Sequence, residues 1–103
     1  MNALTFTALA EPNRLRIIEL LRMEPCSVNQ VAQRLNLRQP QITKHLHTLS
    51  QAGLVTVSPI TQQRIYALSP TPFLQLEDWV ASFHRYWNPK LTNLESYLQK
   101  RES

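Results

Sequence analysis

The stretch RQPQITKHLHTLSQAGLV, Arg38 to Val55, decides how the chain folds. Ile42, Leu46 and Leu49 recur at the spacing of one helix face, and His45 falls beside Leu46 on the same side. Pro40 suits the first helical turn, where its missing N–H costs nothing. Gly53 is the only glycine of the chain, and it lies just past the last turn, where a left-handed residue is usually wanted. The opposite face carries Arg38, Gln39, Gln41, Thr43, Lys44, His47 and Thr48. It is polar and cationic and holds no acid, whereas a solvated helix face ordinarily mixes both signs of charge.

The flanking segments supply the rest of the architecture. SVNQVAQRLNL reads as a preceding helix, with Ser27 and Gln30 spaced as a capping box, Val28, Val31, Ala32 and Leu35 inward, and Asn36 as its stop. Before it, EPNRLRIIELLRMEP reads as a helix opened by Pro12, closed by Pro25, and packed through Leu15, Ile18 and Leu21. A short helix from about Leu4 to Ala10 leads into it. After Gly53, LVTVSPI and RIYALSP alternate as two strands with TQQ at the tip. Pro59 cannot donate to a ladder and argues for an edge position or a strand end. Residues 71–100 carry a helical stripe of Phe73, Leu76, Val80, Phe83, Trp87, Leu91, Leu94 and Leu98. Its phase survives Pro89, which predicts one helix kinked near Asn88. The fold class is therefore mainly α with a small β-hairpin wing: a winged helix-turn-helix over residues 1–70, its wing at about 55–68, and a long C-terminal dimerisation helix over residues 71–103.

Charge sharpens the reading. The chain of 103 residues has a net charge of +4. No acid lies between residues 25 and 76, and that segment holds Arg34, Arg38, Lys44 and Arg64, so it carries the whole excess. Such a distribution suits a polyanion partner, double-stranded DNA. One cysteine, Cys26, cannot form an intrachain disulfide, and no run approaches the length of a membrane span. With no signal peptide pattern at the N-terminus, the expected location is the cytoplasm. An enzyme is not expected: the sequence offers no glycine-rich phosphate loop, no paired carboxylates and no nucleophile–base set.

ALAEPNRLRIIELL, SVNQVAQRLNL, QPQITKHLHTLSQAGLV and RIYALSP resemble the ArsR/SmtB family of bacterial repressors over roughly residues 6–70. The element KHLHTLSQAGLV is the most specific part of the likeness. The aromatic C-terminal segment is similar to the SdpR-like, non-metal-sensing branch. The resemblance implies a homodimeric repressor, an autorepressor in the SdpR-like branch, that acts from a palindromic operator with helix 38–52 in the major groove. Two features depart from the family. Arg38 stands where a capping Ser or Thr is usual, and the wing carries a single charge, Arg64. Family metal sites use a Cys-Val-Cys run where this chain has Ser27-Val28-Asn29, or Asp and His ligands along the C-terminal helix, where only Asp78 and His84 are candidates. No cofactor or metal is expected, and Cys26 is expected to serve as a small apolar residue.

The expected DNA contacts are Arg38, Gln39, Gln41, Thr43, Lys44, His47 and Thr48, with Gln62, Gln63 and Arg64 from the wing. Gln39 and Gln41 are placed first for base readout, since a carboxamide pairs with adenine through two hydrogen bonds. His45 is expected to pack. Dimerisation is expected through Leu4, Phe6, Phe73, Trp79, Phe83, Tyr86, Trp87, Leu91 and Leu94, too apolar together for solvent. A regulatory protein partner is a further expectation by analogy with the SdpR-like branch. Two alternatives stay open: a winged-helix protein-interaction module that reads no DNA, and a metal-responsive repressor with an atypical site.

Overall fold

The computed structural model describes residues 2–60, 62–84 and 86. Five helices and a three-stranded sheet follow in the order α1 (Ala3–Leu9), α2 (Pro12–Met23), β1 (Cys26–Ser27), α3 (Val28–Leu35), α4 (Gln39–Gln51), β2 (Val55–Ile60), β3 (Gln63–Leu68) and α5 (Pro70–Ser82). This is a winged helix-turn-helix, as the periodicity predicts.

Local chemistry fixes most boundaries. Ser27 and Gln30 form the reciprocal capping box: the Gln30 N–H donates to Ser27 Oγ at 3.2 Å and the Ser27 N–H to Gln30 Oε1 at 2.8 Å. Both helices of the motif end in the same way. Asn36 closes α3 at φ 55°, and the Leu37 N–H donates to the Ala32 carbonyl at 3.1 Å. Gly53 follows α4 at φ 76°, and the Leu54 N–H donates to the Leu49 carbonyl at 2.9 Å. These six-to-one bonds satisfy carbonyls that a helix end leaves unpaired. The connection between α3 and α4 is only Asn36, Leu37 and Arg38.

The sheet order is β1-β3-β2, all antiparallel, with Val55 opposite Leu68 and Pro59 opposite Arg64. β2 is an edge strand, the position in a sheet where proline is tolerated. The third strand was not foreseen: Cys26 and Ser27 pair with Tyr66 and Ile65 and tie the wing to the start of α3.

Ile17, Val31, Ile42, Leu46, Leu49 and Leu54 are fully buried, and Ile18, Leu21, Ala8, Ala32 and Val55 complete the core. One expected core residue is displaced: Leu15 is exposed, and Ile17 takes its place. α2 is apolar on two flanks, and the tertiary packing turns inward the one centred on Ile17, Ile18 and Leu21, leaving Leu15 more than a quarter-turn away. The described residues divide into two units, one up to Phe73 and the other from Leu74 on. The predicted kink near Asn88 and the stripe residues Trp87, Leu91, Leu94 and Leu98 lie outside the described residues.

Candidate nucleic-acid interface

α4 is seated by its apolar face. Ile42, Leu46 and Leu49 are each at 0% exposure, so the helix has one rotational setting against the core. That setting turns Arg38, Gln39, Gln41, Thr43, Lys44 and His47 to solvent. Thr48 is half-buried and its hydroxyl donates to the Lys44 carbonyl at 3.2 Å, so it is engaged with its own helix. Arg38 gives α4 no side-chain cap, because a guanidinium has no acceptor. Instead the Gln41 carboxamide oxygen accepts a long 3.4 Å bond from the Arg38 N–H.

The wing meets this helix. Gln62, Gln63 and Arg64 are exposed, and with Ser27, Val28, Asn29 and Gln39 they line an open groove beside the start of α4. The Gln39 carboxamide nitrogen donates to Asn29 Oδ1 across this groove. Asn29 was not foreseen as part of the surface. The sequence marks it only by its place in the Ser27-Val28-Asn29 run, where the family resemblance would put metal ligands.

Two contacts made by carboxylates adjust the electrostatics. Arg34 donates to Glu24 Oε1 at 2.6 Å, and the hydrogen bond and charge of that carboxylate hold the guanidinium above its ordinary pKa. Arg34 is therefore neutralised by an acid from just outside the acid-free segment, and Arg38, Lys44 and Arg64 carry its remaining positive charge. His45 Nδ1 lies 3.7 Å from Glu11 Oε2, and the imidazole is half-buried at 20% exposure. Burial works against the Glu11 carboxylate, but the N–H groups of Arg14 and Asn13, with the charges of His45 and Arg14, outweigh it and hold its pKa below the usual value.

Of the residues expected at a subunit interface, Leu4 and Phe6 on α1 are exposed, as are Trp79 and Tyr86. Phe83 is half-buried and stacks edge-on against Trp79, ring centres 5.1 Å apart. Phe73 packs against the core of its own chain.

With this geometry in view, the likeness to known proteins can be placed. A Helix-turn-helix domain family matches residues 9–58. The HTH-type transcriptional regulator Rv2034 of Mycobacterium tuberculosis is 34% identical over 85 residues, covering 82% of this chain and 77% of that protein. The crystal structure of the ArsR family transcriptional regulator RHA00566 superposes with a TM-score of 0.74 at 28% identity, covering 82% of this chain and 93% of that one. The chain belongs to the ArsR family of transcriptional regulators. This ArsR-family chain is also 28% identical over 78 residues to the transcriptional repressor SdpR of Bacillus subtilis, covering 76% of this chain and 87% of SdpR. It matches the homodimeric winged helix-turn-helix DNA-binding domain Mb0332 of Mycobacterium bovis with a TM-score of 0.67 at 25% identity, over 80% of this chain and 79% of that one. In this ArsR-family regulator Cys26 is fully buried, its thiol donating to the Glu24 carbonyl at 3.4 Å, and burial pushes its pKa up. Among the described residues no three His, Cys, Asp or Glu side chains converge as a metal-ligand group, and no helix is long and apolar enough to cross a membrane.

Proposed function

We propose that this ArsR-family regulator is a cytoplasmic homodimeric repressor of the SdpR-like, non-metal-sensing branch that reads a palindromic operator with α4 in the major groove. One observation carries the reading: an acid-free polar face on a helix whose opposite side is locked into the core. The role of each residue follows from its chemistry. Gln39 and Gln41 have carboxamides matched to adenine edges. Thr43 and His47 lie further along the same face as additional base or phosphate contacts. Arg38, Lys44 and Arg64 oppose phosphates, and Gln62 and Gln63 follow the backbone beside the wing. Thr48 contributes least, its hydroxyl being engaged with Lys44.

Dimerisation through α1 and the C-terminal segment is supported by the exposed Leu4, Phe6, Trp79 and Tyr86, and by the homodimeric state of the Mycobacterium bovis domain. The repressor assignment is supported by the likeness to SdpR. Release from DNA by a regulatory protein partner belongs to the same analogy.

The test is selection of bound sites from a random duplex library with the full chain. The expected result is an inverted repeat with half-sites about 10–10.5 base pairs apart, one turn of the duplex. Retention of no duplex, or of duplexes without sequence preference, would overturn the reading.

A further inference from the structure

We infer that Asn29, on the first turn of α3, is a positioning residue that sets the base preference of Gln39 without itself reading a base. This rests on the proposed placement of α4 in the major groove. A glutamine carboxamide offers one carbonyl oxygen and two N–H donors. Pairing with the N6–H and N7 of adenine uses the oxygen and one donor. The same nitrogen carries a second donor, so it can serve Asn29 Oδ1 while the first serves the base.

The bond does two things to Gln39. It opposes the flipped amide, in which the Gln39 oxygen would face the Asn29 oxygen. It also restricts a long, exposed side chain before DNA arrives, so less rotamer freedom is lost on binding. The contact joins the first turns of the two helices of the motif, and the short Asn36–Arg38 connection fixes their spacing. Asn29 is exposed and lies in a groove shared with Arg64. Its carboxamide therefore acts through Gln39.

The experiment measures base preference at every operator position by competition binding, for the wild-type chain and for Gln39→Ala, Asn29→Ala and Asn29→Asp. Gln39→Ala identifies the position that Gln39 reads. There the wild type should prefer adenine by roughly 5- to 150-fold, the range of one bidentate pair. Asn29→Ala should cut this preference to within about threefold of none, and add nothing further in a Gln39→Ala background. Binding to non-operator duplex should stay as in the wild type. Asn29→Asp keeps the acceptor and adds a negative charge, so the preference should survive while affinity for all duplexes falls. In Asn29→Ala, an unchanged preference or a loss of affinity spread evenly over all sequences would overturn the inference, as would a loss of preference in Asn29→Asp, or no position affected by Gln39→Ala. A wild-type chain without any base preference would instead refute the proposed function itself.

Discussion

The Arg34 guanidinium donates to the Glu24 carboxylate at 2.6 Å, across the boundary of the acid-free segment. The pair decides which cations are available to a polyanion. By charge count alone Arg34 ranks with Arg38, Lys44 and Arg64, but its charge is already opposed.

Arg34→Ala should therefore leave the salt dependence of DNA binding nearly unchanged, whereas Lys44→Ala should make it shallower. Three cations per subunit give a dimer six. If about three to six act on phosphates, the log–log slope should be roughly −3 to −5. Lys44→Ala should reduce its magnitude by up to about 2, one phosphate per subunit. Fluorescence anisotropy on a labelled operator across a salt series reads both values. An equal loss of slope in Arg34→Ala would show that the ion pair opens on DNA.

How much was legible in sequence follows from how far apart the deciding residues lie. The capping box of Ser27 and Gln30, the stops at Asn36 and Gly53, and the inward face of Ile42, Leu46 and Leu49 are local patterns, and the structure repeats them. What was missed is non-local. β1 is two residues long and exists only because Cys26 and Ser27 meet Tyr66 and Ile65. The Asn29–Gln39 and Glu24–Arg34 contacts each join residues ten apart on different elements, where no periodicity links them. Leu15 was misplaced because α2 is apolar on two flanks, and only the packing partners select Ile17.

Gly53 offers a test of backbone geometry separated from packing. Its φ is +76°, and a Cβ there would meet no atom within 4 Å. Any cost of substitution is therefore conformational. Gly53→Val should destabilise the fold by about 1–2 kcal/mol, the penalty of a left-handed conformation. Asn36 holds the same conformation at the end of α3, φ 55°, and Asn36→Gly should change stability little. Urea unfolding of the two variants compares them directly. A neutral Gly53→Val would mean that the turn relaxes away from the left-handed region.

Glu11 should give the fold an acid-sensitive contribution. Its carboxylate accepts from the Arg14 N–H at 2.9 Å and faces His45 and Arg14. Its folded pKa lies below the ordinary 4.5. A depressed carboxylate adds stability above its unfolded pKa and loses that contribution as pH falls through the folded value. Glu11→Gln keeps an acceptor oxygen and removes the charge. The stability difference between wild type and Glu11→Gln should be constant near neutral pH and shrink once pH drops below 4.5. A difference that persists unaltered to about pH 3 would assign it to hydrogen-bond geometry alone.

The last prediction concerns assembly, and it separates dimerisation from folding. Leu74 and Val80 on α5 are 58% and 53% exposed. The two positions lie six residues apart, about 120° around the helix, so a carboxylate at each should cost the chain's own fold little yet bury an unpaired charge if either flank of α5 meets its twofold mate. The double variant Leu74→Glu, Val80→Glu should sediment as a monomer of 12.0 kDa at concentrations where the wild type has twice that mass. Its thermal unfolding should remain cooperative. Its affinity for a single half-site should stay near that of a wild-type subunit, while the gain from a second half-site disappears, because that gain comes from tethering two reading helices together. A double variant that remains dimeric would move the interface away from these flanks of α5 and toward the exposed Leu4 and Phe6 of α1.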